Sequence, residues 1–152
     1  VRQNLEVYGR LYDVKNLKKK IDSISEELRL YEIIDKITGE LSSGQKNRVS
    51  LAKSIINNPS VLLLDEPTAS LDPETGDFVR KFLENYQKEK RTSILLASHN
   101  MTEVERLCSF VIMMNKGSII DKGKPKELIK KHNRKNMEEV FLKLTREKYE
   151  FK

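Results

Sequence analysis

The sequence predicts an α/β fold in which a parallel sheet follows an all-helical N-terminal region. Two short apolar runs, residues 60–64 and 92–98, have the length and composition of strands that are buried on both faces. A helical pattern separates the two runs, and an order of strand, helix, strand and helix indicates a parallel sheet. Residues 1–37 instead carry apolar side chains at helical spacing, with no strand-type alternation.

The N-terminal region contains two predicted helical stripes and a third, capped helix. The stripes are Leu5, Tyr8, Leu11 and Tyr12, and then Leu17, Ile21, Ile24 and Leu28. The third helix is predicted from Ser42 to Ile56, because Ser42 and Gln45 have the spacing of a capping box. Its predicted buried face consists of Val49, Ala52, Ile55 and Ile56. We assign residues 1–58 to a helical subdomain.

Residues 59–131 are assigned to the sheet-bearing core, and residues 132–152 to a polar connector and a C-terminal helix. Asp72 and Pro73 have the pattern of an N-cap and a first helical position. Asn100 and Glu103 have capping-box spacing before another helix. Two further strands are predicted to join at Lys116–Gly117, before a short helix from Pro125 to Lys131, and the last helix carries Val140, Phe141 and Leu144 on one side.

Composition excludes several classes of protein. The 152 residues are 38% hydrophobic and 34% charged, which suits one folded domain with a core. No apolar run approaches the ~20 residues of a membrane-spanning helix. The single cysteine, Cys108, cannot form an internal disulfide, which favours a reducing, cytosolic setting, and its helical pattern with Val104 and Leu107 predicts a place in the core.

The formal net charge of +6 permits a nucleic acid or an anionic lipid as partner. The lysines are spread along the chain, however, and lack the aromatic interleaving of a surface that binds single strands. We therefore interpret the charge as ordinary solvated faces and expect no nucleic-acid partner.

Asp65 and Glu66 follow the first apolar strand directly. Ligands of open α/β sheets bind at the carboxyl ends of the strands. An Asp at such an end can hold the hydration shell of Mg²⁺, and the next carboxylate, Glu66, can orient or deprotonate a water that attacks a phosphate. Two acids that merely start a loop would look the same, so this pair alone does not decide between the two interpretations.

Three further segments have both a functional and an ordinary interpretation. The loop Ser42–Gln45 presents free N–H groups at a helix N-terminus, which suits a phosphate, although a capped helix start explains it as well. His99, at the end of the second strand, could contact a γ-phosphate or could be structural. Asp72 could act in the site or serve only as the N-cap of its helix.

The order and spacing of these segments resemble the ATP-binding cassette (ABC) ATPase family over essentially the whole chain. The matching segments are Leu41-Ser42-Ser43-Gly44-Gln45, Leu62-Leu63-Leu64-Asp65-Glu66-Pro67-Thr68, Ser70-Leu71-Asp72-Pro73 and Ser98-His99. In that family they correspond to the signature loop, the Walker B strand with its catalytic Glu, the D-loop and the switch histidine. The fold implied is part of a RecA-like P-loop NTPase sheet beside a helical subdomain.

The resemblance implies a role for each residue. Asp65 would hold Mg²⁺ through water, Glu66 would activate the attacking water, and His99 would contact the γ-phosphate. Ser42, Ser43, Gly44 and Gln45 would belong to the loop that contacts the ATP bound to the opposite subunit. Asp72 would act across the same interface.

The resemblance also implies cofactors and partners. The cofactors would be ATP and Mg²⁺. A second ATPase subunit would complete a head-to-tail dimer, and transmembrane permease subunits would be moved by it. The location implied is cytoplasmic, peripheral on the inner face of the cell membrane. Residues 137–145 are similar to the tails of exporter-type members, which favours export.

Two departures from the family pattern have consequences. Ser43 stands where the signature loop usually has glycine, and we expect function to survive because the backbone N–H is kept. The Gly-x-x-x-x-Gly-Lys-[Ser/Thr] loop that grips phosphates does not occur in the sequence, and Val1 lies inside a helical pattern. We interpret the chain as N-terminally truncated and expect that, alone, it does not hydrolyse ATP.

Two alternatives to a transporter ATPase stay open. A soluble ABC ATPase acting on ribosomes or DNA is compatible with the net charge, although the sequence shows neither tandem cassettes nor a long inserted coil. A non-catalytic module that only binds a partner is compatible with the missing phosphate loop. The intact Asp65, Glu66 and His99 argue against a degenerate site.

Overall fold

The computed structural model describes residues 1–69 and 71–146. The elements in chain order are α1 (Arg2–Leu11), α2 (Leu17–Glu27), two short 3₁₀ turns (Tyr31–Ile33 and Thr38–Glu40), α3 (Ser43–Ile55), β1 (Val61–Asp65), α4 (Pro73–Lys90), β2 (Ser93–Ala97), α5 (Met101–Leu107), β3 (Val111–Asn115), β4 (Ser118–Gly123), α6 (Pro125–Lys131) and α7 (Met137–Arg146). The chain divides into two compact units, residues 1–95 and 96–152. These boundaries differ from those of the three-part domain assignment, which stays a prediction.

Helices α1 and α2 form the start of the first unit. Ile21, Ile24 and Leu28 are buried as predicted. The stripe predicted for α1 is confirmed at Leu5, which is buried, but is wrong at Leu11 and Tyr12, which are 72% and 56% exposed; Tyr8 is half-buried. Helix α1 meets its neighbours on the side of Leu5 and Gly9 instead. A Cβ at Gly9 would lie 2.0 Å from Leu17 Cδ1, so glycine permits this close approach.

Helix α3 begins and packs as the sequence predicts. Gln45 N–H donates to Ser42 Oγ over 3.3 Å and Ser42 N–H donates to Gln45 Oε1 over 3.1 Å, which completes the capping box. The predicted apolar face is buried, with Val49, Ala52, Ile55 and Ile56 no more than 4% exposed. This burial fixes α3 against the rest of the helical region.

Arg48 on α3 and Arg29 beyond α2 connect three helices. Arg48 Nη1 donates to the carbonyls of Leu28 and Arg29 at 3.3 and 2.9 Å. These carbonyls lie at the C-terminal end of α2, where backbone acceptors lack intrahelical partners and the helix dipole favours a cation. The Arg29 guanidinium in turn lies 4.3 Å from the centre of the Phe78 ring on α4.

Strands β1 and β2 pair in a small parallel sheet, connected through α4. Ser93 N–H donates to the Ser60 carbonyl over 2.9 Å, just before the strands begin to pair. The prediction that both strands are buried on both faces is wrong. Leu62 is 3% exposed, whereas Leu63 and Leu95 are 69% and 66% exposed. Within the described residues one face of this two-stranded sheet is therefore covered and the other is open.

Helix α4 begins at Pro73 with Asp72 as its N-cap, as predicted. Its buried side differs in part from the predicted stripe of Phe78, Phe82 and Tyr86. Tyr86 is buried and its ring stacks on Phe82, with the ring centres 5.8 Å apart. Phe78 and Phe82 are half-buried, and the fully buried positions beside Tyr86 are Val79 and Leu83.

The second unit is built from α5, an antiparallel hairpin of β3 and β4, and helices α6 and α7. The predicted hairpin turn is confirmed, and both Lys116 and Gly117 have positive φ, as a type I′ hairpin turn requires. Met113, Leu128, Met137 and Val140 form its core, and Phe141 and Leu144 pack against it. This confirms the predicted apolar side of the last helix up to residue 146; residues 147–152 lie outside the described residues.

Cys108 lies half-buried at the end of α5, beside buried Val104. Burial, and next to it the charge of Glu103, raise the pKa of the Cys108 thiol. A raised pKa lowers the thiolate fraction and with it the reactivity. The predicted place of Cys108 in the core is therefore only partly confirmed, because its side chain is half-buried.

Asp121 on β4 joins the hairpin to the end of α6. Its carboxylate accepts hydrogen bonds from Lys131 Nζ at 2.8 and 2.9 Å and from the N–H of Lys122 at 2.9 Å, and lies 2.6 Å from His132 Nε2. The side chains of Asp121 and His132 are 9% and 12% exposed. Burial raises the pKa of Asp121, but these hydrogen bonds outweigh it and lower that pKa to about 2.

We expect Asp121→Asn to destabilise the second unit in a pH-dependent way. A carboxyl group whose pKa is lower in the folded state stabilises the fold above its unfolded pKa of 3.8, and this contribution is lost as the pH falls towards 2. The variant should therefore lose roughly 1–2 kcal/mol of unfolding free energy at pH 7, after allowance for solvent screening, and much less near pH 2. Urea unfolding followed by circular dichroism at both pH values measures this.

Glu127→Gln is the matched control for Asp121→Asn. Glu127 pairs with Lys124 at 3.4 Å, but the two side chains are 64% and 68% exposed. An exposed pair contributes at most ~1 kcal/mol. An equal loss in both variants, or a loss in Asp121→Asn that does not change with pH, would contradict the assignment.

Candidate functional site

The carboxyl end of β1 carries the two acids that the sequence singled out. Asp65 is the last residue of the strand and is exposed, and Glu66 follows it half-buried. The chain then turns sharply, because Ala69 N–H donates to the Glu66 carbonyl over 3.0 Å. Pro67 and Thr68, the central residues of this turn, are buried. The two carboxyl groups are thus presented at the strand end on a supported turn.

Glu66 adopts a left-handed backbone conformation, with φ of 48°. This conformation is uncommon for a residue with a Cβ. Residues held in sparsely populated backbone regions cost about 1–3 kcal/mol each and concentrate at functional sites. Seven other non-glycine residues among those described also have a positive φ, so the conformation of Glu66 shapes the turn after β1 but does not by itself mark the strand end as a functional site.

The N-terminus of α3 presents a second group of site residues. The Ser42 and Gln45 side chains are engaged in the capping box. The N–H groups of Ser43 and Gly44, in contrast, come before the intrahelical ladder begins. Ser43 lies in the first turn of α3 and is exposed. Its φ is not positive, so serine in place of glycine carries no backbone penalty here.

Gly44 and Leu71 approach each other closely in the first unit. A Cβ at Gly44 would lie 3.3 Å from Leu71 Cδ2, which is tighter than ordinary contact. The loop at the start of α3 and the segment before α4 are therefore neighbours. Ser70, which belongs to the same predicted motif, lies outside the described residues.

Asp72 is fixed by the helix that it caps. Its carboxylate accepts from the Thr75 N–H over 2.9 Å. The hydrogen bonds from Thr75 lower the pKa of Asp72. Asp72 is exposed, so it stays ionised and accessible at neutral pH while its orientation is held by the helix N-terminus.

His99 lies in the second unit, exposed, between β2 and α5. Ser98 and Asn100 on either side of it are held by hydrogen bonds. Ser98 Oγ donates to Glu103 Oε2 over 2.7 Å and accepts from the Asn100 N–H at 3.1 Å. Asn100 Oδ1 accepts from the Glu103 N–H at 3.1 Å, as predicted for an N-cap. The loop that presents His99 is therefore ordered by its own unit.

Two structurally important residues, Arg48 and Glu103, were not identified as such from the sequence. Arg48, which holds the end of α2, had no signal beyond being a polar residue on an amphipathic helix. Glu103 was noted for its spacing from Asn100 alone, yet it is 0% exposed. Its position next to apolar Val104, in a helix directly after the His99 segment, was the one available signal.

The carboxyl groups at the end of β1 suit Mg²⁺ better than a metal held by protein side chains alone. Among the described residues no three His, Cys, Asp or Glu side chains converge as a metal cage. Mg²⁺ is usually held by one or two carboxylates together with waters and phosphates. Asp65 and Glu66 at the end of β1 match that donor set. The exposed start of α3 matches the needs of a phosphate.

Within the described residues, helices long and apolar enough to span a bilayer are not found.

Curated proteins similar to this chain are ATP-binding proteins of ABC transporters. NatA of Bacillus subtilis (strain 168) is 32% identical over 93% of this chain and 58% of its own length. The Nod factor export ATP-binding protein I of Rhizobium sp. (strain N33) is 37% identical over 93% of this chain and 47% of its own. The methionine import ATP-binding protein MetN of Histophilus somni (strain 129Pt) is 39% identical over 73% of this chain and 32% of its own length. The chain thus spans about half the length, or less, of these relatives.

Solved structures agree on the fold. An ATP-binding subunit of an ABC transporter superposes with a TM-score of 0.80 at 21% identity, over 95% of this chain and 61% of its own. The cbiO1 protein of Clostridium perfringens is described as part of the ABC transporter complex cbiONQ. It has a TM-score of 0.65 at 37% identity, over 76% of this chain and 46% of its own. The predicted fold class, a partial RecA-like P-loop NTPase sheet with an N-terminal helical subdomain, is confirmed.

The family model described as ABC transporter matches residues 1–69, which include the start of α3 and the Asp65–Glu66 pair. The motifs, the fold and the relatives agree with this match. The chain belongs to the ATPase domain family of ABC transporters.

Proposed function

We propose that this chain supplies the water-activating part of an ATP-hydrolysing site in an ABC transporter. The observation that carries the proposal is the Asp65–Glu66 pair at the carboxyl end of β1, with Glu66 in a left-handed conformation. Relatives named as ATP-binding proteins of transporters support it. Bound Mg²⁺ and ATP would supply the positive charge and the phosphoryl group of the reaction.

The proposal gives a separate task to each of Asp65, Glu66 and His99. Asp65 is exposed and would hold Mg²⁺ through water. Glu66 orients the attacking water and takes its proton. His99 donates a hydrogen bond to the γ-phosphate. The ordered backbone on either side of His99 supports this assignment, because positioning contributes much of the rate in phosphoryl transfer.

The start of α3 serves a second ATP molecule, on the opposite subunit of a dimer. The N–H groups of Ser43 and Gly44 and the positive end of the helix dipole suit a phosphate. Ser42 and Gln45 hold the loop in shape through the capping box. Asp72 lies in the segment next to this loop and acts across the same interface. Both groups belong to the first unit, which supports a common role.

The partners proposed are a second ATPase subunit and transmembrane permease subunits, at the cytoplasmic face of the cell membrane. Membership of cbiO1 in a transporter complex supports the permease partner. We propose export as the direction. The Nod factor export relative matches 93% of the chain, whereas the methionine import relative matches 73%.

Replacing Glu66 by Gln in the assembled transporter should slow ATP hydrolysis by ~10²–10⁴-fold, because the general base is lost. ATP binding should persist, since Gln has nearly the same shape. Steady-state phosphate release and equilibrium binding of a fluorescent ATP analogue measure the two effects. Glu89→Gln is the control, because Glu89 is exposed near the end of α4. Hydrolysis at the wild-type rate in Glu66→Gln would remove Glu66 from the mechanism.

The 152-residue chain by itself is expected not to hydrolyse ATP. No Gly-x-x-x-x-Gly-Lys-[Ser/Thr] segment occurs in it, and without that loop the β- and γ-phosphates lose most of their fixed contacts. The measurement is phosphate release by the purified chain at millimolar Mg²⁺ and ATP. Turnover that Glu66→Gln abolishes would disprove this expectation, whereas turnover that persists in the variant would indicate a contaminating enzyme.

A further inference from the structure

Glu103 is a fully buried acid next to the loop that carries His99. It is 0% exposed, on the first turn of α5. A buried carboxyl group is costly unless hydrogen bonds compensate it, so its retention needs a reason. The backbone N–H of Glu103 donates a hydrogen bond to Asn100 Oδ1, which caps the helix. Capping by Asn100 involves only the backbone of Glu103, and therefore does not account for the buried side chain.

The side chain of Glu103 is linked to both residues that flank His99, directly to Ser98 and through Ser98 to Asn100. Glu103 Oε2 accepts the Ser98 hydroxyl proton over 2.7 Å. The same hydroxyl oxygen accepts the Asn100 N–H at 3.1 Å. Since a serine hydroxyl has one proton to donate, the bond to Glu103 fixes its rotamer and directs a lone pair to Asn100. The backbone before and after His99 is thereby closed into one hydrogen-bonded ring.

Helix α5, which carries Glu103, is itself anchored. Glu105 Oε2 accepts the N–H of Met137, at the start of α7, over 3.2 Å. Met137 is 0% exposed and belongs to the core of the second unit. Glu103 therefore acts from a helix that is fixed to a packed core. The exposed His99 loop is thus connected through Ser98 to a buried group.

We propose that Glu103 is the positioning residue for His99: its buried carboxyl group, acting through Ser98, holds the imidazole in place for the γ-phosphate. The proposal rests on the role of His99 in the proposed function. It assigns no contact between Glu103 and ATP. If Glu103 were purely structural, it would stabilise the second unit without being coupled to His99. A positioning role and a structural role therefore predict different kcat values when both residues are replaced.

The test is a double-mutant cycle of Glu103→Ala and His99→Ala in the assembled transporter. We expect each single variant to lower kcat by ~10-fold or more with little change in KM for ATP, since transition-state contacts are lost. The double variant should be no slower than His99→Ala, because a residue that acts through His99 adds nothing once His99 is gone. Multiplicative losses in the double variant would overturn the proposal.

Conservative and neighbouring substitutions keep the test decisive. Glu103→Gln retains an acceptor for Ser98 and should keep kcat within ~3-fold of wild type, whereas Ser98→Ala should resemble Glu103→Ala. Glu127→Gln, at an exposed acid on α6 of the same unit, should leave kcat unchanged. An equal fall of kcat in Glu127→Gln would point to general destabilisation and would reject a specific role.

Amide hydrogen exchange separates failure of this proposal from failure of the proposed function. In the chain itself, Glu103→Ala and Ser98→Ala should speed exchange at Asn100 by ~10-fold or more, because its N–H loses the Ser98 acceptor. If exchange rises but His99→Ala leaves kcat unchanged, the assigned role of His99 is wrong and the proposal falls with it. If exchange at Asn100 does not change, Glu103 does not hold the loop, whatever His99 does.

Discussion

The burial of one face of α3 is the packing constraint on which the first unit depends. Val49, Ala52, Ile55 and Ile56 are almost completely shielded from water, and replacing a buried isoleucine such as Ile55 by alanine costs about 2–5 kcal/mol in a typical core. Because this face fixes the helix axis, it also fixes where the helix begins. Arg48 on the same helix holds the end of α2, and Gly44 in its first turn lies against Leu71. Loss of this packing would therefore move the amides of Ser43 and Gly44, which are proposed to contact phosphate, as well as unfold the helices.

The groups proposed to act on ATP lie at the ends of elements, and each unit orders its own loop. In the first unit, the strand end at Asp65 leads into a left-handed turn over buried Pro67. In the second unit, a buried acid, Glu103, orders the loop of His99. Element ends leave backbone groups available for ligands, whereas the interiors of the elements provide rigidity. The same division is the reason for expecting Ser43 to be tolerated in this loop, since the function proposed there belongs to the backbone.

Local chemistry made much of this structure predictable from the sequence. The capping box at Ser42, the proline at the start of α4 and the hairpin turn at Lys116–Gly117 depend on residues close in sequence, and all three are present. Burial was harder to predict, because it depends on what covers a surface. Leu63 and Leu95 have the composition of buried strand residues, yet in the described residues they face an open side. The left-handed backbone of Glu66 has no signature in the neighbouring sequence. The burial of Glu103 depends on tertiary packing, and its place beside Val104 was the one local signal.

The most direct test of the account is whether Asp65 governs metal binding in the presence of ATP. Mn²⁺ can replace Mg²⁺, and its affinity for the assembled, ATP-bound transporter can be measured by electron paramagnetic resonance. Asp65→Asn should weaken Mn²⁺ binding by ~10–100-fold, as expected for a group that acts through the metal's coordinated waters. Asp35→Asn, at an exposed acid bonded to Arg2 in the helical region, should leave it unchanged. Equal Mn²⁺ affinity in Asp65→Asn and wild type would contradict the assignment of the strand end as the hydrolytic site.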